Sequence, residues 1–244
     1  MGCVGILIMS IKNKYKVTSI QPFQTHEWLM KKHYARRMPN IVYAFGLFEN
    51  DLLVGVCTFG MPPTPFFSTL FVGETYYELN RLCVNEGLDK NSLSYFVSNC
   101  LKQIKNCVIV SYADPNNGHS GYIYQATNWV YTGAGRVNEK DERGVNRFFF
   151  NGKEFHERHI PETMARYKFK IDEAKTKNEN WIANGGEILK QERKHRYFFI
   201  CGNTKFKEKM NKIINEHFNI KPYPKGNNTR YDASYNPSVQ TELF

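Results

Sequence analysis

Val72-Gly-Glu-Thr-Tyr-Tyr-Glu-Leu-Asn-Arg-Leu-Cys-Val84, the run Ser92 to Ile104, and Cys107-Val-Ile-Val-Ser-Tyr112 follow one another without a long break. The first stretch predicts a long strand, because aromatic and aliphatic residues suit a pleated surface. The second predicts a helix, with Asn91 as its N-cap. The third is a continuous apolar run, the pattern of a strand buried on both faces in a parallel sheet. A helix joining two apolar strands is a crossover, so the centre of the chain predicts a layered α/β domain.

Working outward, Tyr15 to Ile20 alternates and predicts a strand. Phe23, Trp28, Leu29 and His33 stand near helical spacing, so residues 22–35 predict a helix, stopped by Pro39. Residues 41–49 and 52–59 predict a hairpin turning at Asn50-Asp51. Downstream, residues 118–127 predict a short helix, and 129–132 and 146–151 predict strands. Residues 152–194 are polar and basic and predict a mostly helical insertion. Residues 195–201 return as a strand, and 204–218 form a basic amphipathic helix. The expected layout is a core over 1–151, an insertion over 152–194, a returning strand and helix over 195–220, and an irregular tail over 221–244. Either 146–151 or 195–201 can supply the last strand of the sheet.

The 244 residues are 41% hydrophobic and 15% aromatic, an aromatic load that a disordered chain does not carry. No apolar run approaches the roughly 20 residues that span a bilayer, so no membrane partner is expected. The apolar stretch Val4 to Met9 lacks the flanks of a signal peptide. The six cysteines form no C-x-x-C pair, and most sit in apolar runs. Reduced thiols and a cytoplasmic setting are expected rather than a zinc ribbon. The net charge of +10 favours an anionic partner. Residues 151–230 hold 18 Lys/Arg against 10 Asp/Glu, interleaved with aromatics, which puts nucleic acid ahead of a membrane surface.

Four segments carry a resemblance. They are His33-Tyr34-Ala35-Arg36-Arg37-Met38-Pro39; Tyr77-Glu78-Leu79-Asn80-Arg81-Leu82-Cys83-Val84 with Lys90 to Phe96; Ser111-Tyr112-Ala113-Asp114-Pro115 with Gly118 to Gly133; and Lys194-His195-Arg196-Tyr197. In this order they resemble the phage Mom family, the third segment most specifically. The resemblance implies a GNAT-like mixed central sheet flanked by helices, with a basic helical insertion and a C-terminal extension. It implies a phage-encoded enzyme, acting in the cytoplasm of the bacterial host, that converts adenine in double-stranded DNA to N6-carbamoylmethyladenine and so protects it from restriction. It also implicates His33, Tyr34, Arg81, Ser94 and Asp114, and an Fe(II) ion has been linked to the family.

Read from the residues, Asp114 follows a buried strand, where α/β sheets place ligands, and can orient or deprotonate an adenine amino group. Equally it can make an Asx-turn with Pro115 and Asn116. His33 can shuttle a proton, or simply cap a helix C-terminus. His33, Tyr34 and Asp114 are the candidate metal ligands, a poor set with only one imidazole. By strict alternation Arg81 shares a face with Tyr77 and Cys83, opposite Glu78, and meets a ligand anion or a distant carboxylate. Arg81, Ser94 and Asn91 are the expected donor-binding residues.

Adenine in a duplex must be flipped out and stacked on aromatics, for which Tyr34, Tyr112, Tyr122 and Tyr124 are candidates. Arg36, Arg37, Arg136, Arg193, Lys194 and Arg196 are the expected DNA-backbone contacts. The turn Asn85 to Ser92 holds two acidic residues and one Gly where GNAT enzymes cradle the coenzyme A pyrophosphate. The expected donor is therefore an activated acyl or aminoacyl group, acetyl-CoA or a glycyl carrier. Gln240, Leu243 and Phe244 resemble a binding pentapeptide for the bacterial sliding clamp, or belong to a frayed terminus. An ordinary GNAT acetyltransferase and a non-catalytic DNA-binding protein are the alternatives.

Overall fold

The computed structural model of the chain describes residues 10–134, 145–226 and 235–237. Arg136, Gln240, Leu243 and Phe244 lie outside the described residues. A short helix α1 (Ile11–Lys14) leads into strand β1 (Tyr15–Ser19). The expected hairpin is formed by β2 (Tyr43–Glu49) and β3 (Leu52–Gly60), and Asn50 and Asp51 take φ values of 47° and 64° at its turn. These two residue types tolerate that left-handed backbone, which matches the twist of the flanking strands. After α2 (Phe66–Leu70) come β4 (Thr75–Val84), the crossover helix α3 (Ser92–Gln103) and β5 (Cys107–Ala113). Helix α4 (Tyr122–Ala126) and β6 (Val130–Ala134) follow.

Residues 145–191 build a second, three-stranded sheet from β7 (Val145–Phe150), β8 (Lys153–Phe155) and β9 (Glu187–Gln191). Helices α5 (Ile160–Arg166) and α6 (Lys177–Ala183) cover it. The expected helices of the insertion are present, together with two strands, β8 and β9, that the sequence pattern did not predict. The insertion's own small core gathers Phe148, Ile160, Met164 and Trp181, with the rings of Phe150, Phe155 and Phe169 packed against the indole. The chain then returns as β10 (His195–Cys201) and ends in α7 (Thr204–His217).

The main sheet has seven strands in the order β1-β2-β3-β4-β5-β10-β6. Only β4 and β5 run parallel; the other neighbours are antiparallel. Residues 195–201, not 146–151, therefore complete this sheet. One face packs on α3 and α4 through Leu79, Leu82, Phe96, Val97, Ile109, Trp129 and Tyr197. The other carries two separate clusters. Val108, Val110, Phe198 and Ile200 meet α2 and α7, and Ala44, Phe48, Val56 and Cys83 meet Trp28 and Leu29. The result is a mixed α/β fold with helices on both faces. Among the described residues no helix is long and apolar enough to cross a membrane.

Residues 22–35 do not form the expected α-helix. They make a 3-10 turn, Pro22–Thr25, and a π-helix, Trp28–Lys32, that ends at His33, well before Pro39. The His33 N–H reaches the Trp28 carbonyl at 2.9 Å. The wider turn lets Trp28, Leu29 and Lys32 all bury. The segment that follows is tied down at Asn40. Its carbonyl accepts from Asn80 Nδ2 at 2.8 Å and passes close over Gly60.

A Cβ on Gly60 would lie 1.9 Å from that Asn40 carbonyl oxygen. Gly60→Ala is therefore expected to cost about 1–3 kcal/mol, as overpacking does, seen as a lower Tm in thermal denaturation. An unchanged Tm would show that the Asn40 segment moves aside freely.

Candidate active site

Strand β4 carries one extra residue. Thr58 pairs with Arg81 and Phe59 with Leu79, leaving Asn80 as a bulge between them. Thr58 Oγ1 donates to Asn80 Oδ1 at 2.6 Å and fixes it there. A bulge resets the alternation of faces. Tyr77 and Leu79 before it, and Leu82 and Val84 after it, all pack toward α3. Glu78 and Arg81 consequently share the opposite face, which corrects the expectation that they point apart.

The same point is where the parallel pair opens. β4 and β5 pair over Thr75–Glu78 and Cys107–Val110. Beyond that, the Ser111 hydroxyl donates to the Leu79 carbonyl at 2.8 Å in place of a ladder bond. Parted carboxyl ends of strands are where open α/β sheets hold ligands. Glu78 and Arg81 from β4, Asp114 from the end of β5, and His33 and Tyr34 from the end of the π-helix meet here. His33, Tyr34 and Glu78 each feel the charge of Arg81, and Tyr34 also feels those of Asp114 and Glu78.

Both expected readings of Asp114 hold at once. Its Oδ1 accepts from the Asn116 backbone N–H at 3.1 Å and from Asn116 Nδ2 at 3.0 Å, an Asx-turn. Its Oδ2 lies 3.4 Å from Lys194 Nζ. Burial opposes the ionisation of Asp114, but the Asn116 bonds and the Lys194 ammonium outweigh it and hold the pKa below the ordinary carboxylate value. Glu78 is the reverse case. Burial pushes it up to about 6 even though Arg81, Lys194 and Arg37 pull the other way.

His33 is 3% exposed, and its ring stacks on Tyr34 at 4.5 Å and 28°. Its Nδ1 accepts from the Ala35 N–H at 3.0 Å, so the neutral ring carries its proton on Nε2. Burial, then the charges of Arg81, His119 and Lys194, lower its pKa to about 3. The ring is a fixed neutral donor near pH 7 and not the proton shuttle expected from its residue type. Tyr34 keeps 38% exposure, and His119 meets its ring edge-on at 5.5 Å. Burial and the Asp114 charge raise the Tyr34 pKa.

Arg36, Arg37 and Lys194 are exposed beside this cluster, and Arg193 is half-buried. Arg196 is not a surface contact. It is 6% exposed, its Nε donates to Thr132 Oγ1 at 2.9 Å, and its guanidinium lies 4.2 Å from the centre of the Phe218 ring. Tyr124 is also core, 8% exposed and hydrogen-bonded to Ser111 at 2.7 Å, so it cannot stack on a base. Tyr112 is half-buried on the site face, its pKa pushed up to about 12 by burial. Tyr122 is 64% exposed on α4. Asn91 and Ser94 stand at the head of α3, which packs on the other face of the sheet. Asn91 takes φ 70° and makes no side-chain cap, while Ser94 Oγ donates to the Asn91 carbonyl at 2.9 Å. Glu78 and His119 were missed as site residues. The signal for Glu78 was present: apolar residues at 77, 79, 82 and 84 break strict alternation once.

The donor set does not fit Fe(II). Among the described residues no group of three or more His, Cys, Asp or Glu side chains could hold a metal. In the expected trio, His33 Nδ1 and Asp114 Oδ1 are already taken by N–H donors. The β4–α3 turn fits a coenzyme A pyrophosphate poorly. Its Asp89 N–H donates to Tyr15 Oη and its Ser92 N–H to the Asp89 carbonyl, so these donors are taken, and the Lys14 ammonium is already paired with Asp89 at 2.7 Å.

The chain is 33% identical over 129 residues to the methylcarbamoylase Mom of Escherichia phage Mu, a match covering 49% of this chain. It spans about half of that relative, 54% of its length. Among solved structures it is similar to a GNAT family acetyltransferase from Elizabethkingia anophelis with acetyl-CoA bound, at 9% identity, a TM-score of 0.40, and coverage of 77% of this chain and 99% of that one. It is likewise similar to a Bacillus subtilis acetyltransferase in complex with CoA, at 10% identity and a TM-score of 0.38, over 77% and 97% of the two chains. The model of the Mom protein family matches residues 14–225, so the chain belongs to that family.

Proposed function

We propose that this chain transfers a carbamoylmethyl group to the N6 of adenine in DNA. The observation that carries the reading is the pairing of two carboxylates of opposite character at the opened end of the sheet. Asp114 is ionised and held by Asn116 and Lys194, so it serves to orient the amino group. Glu78, with its pKa near 6, is the general base. A base works best when its pKa lies close to the working pH. His33, neutral with its proton on Nε2, donates to the oxygen of the activated donor. Tyr34 and Tyr112 offer rings to an extruded base. Arg36, Arg37 and Lys194 meet the phosphates on either side of it. The family match and the name of the phage Mu relative support the substrate class. The donor that balances the product is an activated glycyl group: attack of N6 on its carbonyl expels the carrier and leaves an N6-glycyl amide, whose isomerisation to N6–CH2–CO–NH2 conserves every atom, whereas an acetyl group lacks the amide nitrogen. The poor fit of the β4–α3 turn to a pyrophosphate speaks against an ordinary acetyltransferase.

Nucleoside mass spectrometry of DNA from bacteria expressing the chain is expected to show deoxyadenosine carrying an added carbamoylmethyl group. Unmodified DNA would sink the reading. Duplex affinity should fall steeply with added salt, and Arg37→Ala or Lys194→Ala should each reduce the log–log slope by about 1. A flat response would remove DNA as the partner.

Glu78→Gln is expected to lower turnover by about 10²–10⁴-fold while DNA binding persists. In the unaltered chain the rate should rise as pH increases through about 6, as Glu78 ionises. Stability has the opposite sign. A carboxyl whose folded pKa is raised stabilises the protein fully below its unfolded value of about 4.5, and that contribution is lost as pH rises through 6. Chemical denaturation should therefore find Glu78→Gln about 1–2 kcal/mol more stable than the parent at pH 7. No such gain is expected at pH 4. A variant that is slower and also less stable at pH 7 would remove Glu78 from the base role.

A further inference from the structure

Lys32, the residue before His33, is only 4% exposed. A buried ammonium must place its three N–H bonds on acceptors or bear a large desolvation cost. Two acceptors come from far along the chain. Lys32 Nζ donates to the Tyr235 carbonyl at 2.7 Å and lies 3.4 Å from Asn236 Oδ1. The contact continues on both sides. Tyr235 Oη donates to Glu27 Oε1, the Lys31 ammonium lies 5.6 Å from the centre of the Tyr235 ring, and Lys31 pairs with Glu27 at 3.4 Å. Pro237 is buried. Tyr235 and Asn236 thus meet Glu27, Lys31 and Lys32 along the flank of the π-helix, and Pro237 follows them, buried.

This flank matters because of what the π-helix is and where it leads. It is one short turn of Trp28–Lys32, a geometry that does not persist by itself and depends on tertiary support. One residue later the chain delivers His33 and Tyr34 to the cluster. Their stacked rings inherit the angle at which that turn ends. A displacement of about 1 Å in a reacting group can cost about 10²-fold in rate.

We infer that Tyr235–Pro237 is a strap that positions His33 and Tyr34, with Lys32 as its tie. The rate consequence rests on the function proposed above, whereas the strap itself does not. Lys32 and Tyr235 are positioning residues. They touch neither base nor donor, and they act through the end of the π-helix.

The test compares a chain ending at Pro237, which keeps the strap, with one ending at Ser234, which lacks it. Turnover, KM for duplex DNA and backbone hydrogen exchange are measured on both. Removing 235–237 is expected to lower kcat at least about 10-fold while KM for DNA changes less, since the Lys194 contact to phosphate stays in place. Hydrogen exchange should quicken over residues 28–37 and stay unchanged over Cys107–Ala113 in β5. Tyr235→Phe in the full chain keeps the ring and the carbonyl that Lys32 binds, and should retain at least half the rate. Equal kcat and equal exchange in the two truncated chains would overturn the strap. So would exchange rising equally over β5, which would mean general destabilisation. If Tyr235→Phe slowed the enzyme as much as the shorter truncation, the tie would run through Glu27 and not Lys32. Should the full chain leave DNA unmodified, the function proposal fails alone, and the exchange comparison still decides the strap.

Discussion

One extra residue in β4 determines where chemistry can occur. With strict alternation, Arg81 would project into the apolar layer beneath α3, beside Tyr77 and Leu79. A guanidinium there would need a buried partner or would destabilise the layer. Asn80 absorbs the shift, so Arg81 emerges on the face that already holds Glu78. The bulge coincides with the last paired residues of β4 and β5, so the charged pair arrives where the sheet opens and not in its middle. Neither feature alone suffices. A bulge in a closed sheet would bury the pair, and an open sheet without the bulge would present Glu78 alone.

Such a site opposes folding. Glu78 ionises against burial, and His33 is held neutral by it. Charging His33 costs folding energy as pH falls below its unfolded value of 6.5 toward about 3, the opposite sign to Glu78. The compensation lies in the layers around the site. Phe67, Phe71 and Phe198 stack behind α2 and α7, and Trp28 and Leu29 fill the space beneath β2 and β3. The site is thus bounded by two apolar clusters. Substitutions at Phe67, Phe71 and Phe198 should act on stability, whereas those at Trp28 and Leu29 would also reach the rate through the end of the π-helix.

The order of strands, the crossover and the first hairpin were legible because each rests on a local signal. Asn50-Asp51 marks a turn by residue type, and Cys107 to Tyr112 marks a buried strand by unbroken apolarity. The π-helix was not legible. Trp28, Leu29 and His33 fit helical spacing, and only the need to bury Lys32 beside them shows why the turn widens. The small sheet was misread because polar residues surround Phe148, Phe150 and Trp181, whose mutual packing is non-local. Asp114, Tyr34, His33 and Arg81 were found as residues, and the structure brings all four together. Their states were not legible, because desolvation depends on neighbours distant in sequence. The same limit explains Arg196, whose charge suggested a surface and whose Thr132 and Phe218 contacts place it inside.

The two sheets are joined at the site itself, and this constrains how the small one can matter. Asn116 bonds Asp114 on one side and the Glu192 backbone on the other. Its Nδ2 donates to the Glu192 carbonyl at 2.9 Å, and the Glu192 N–H donates to its Oδ1 at 3.0 Å. Glu192 lies directly after β9, at the exit of the small sheet, and Lys194 two residues on pairs with Asp114. Asp114 is therefore anchored by a linker whose other end is a separately packed unit. A shift of the small sheet against the main one would reach Asp114 through two independent contacts, and it would reach Glu78 only through charge. On the function proposed above, a movement of the small sheet would therefore disturb Asp114 before it disturbs Glu78.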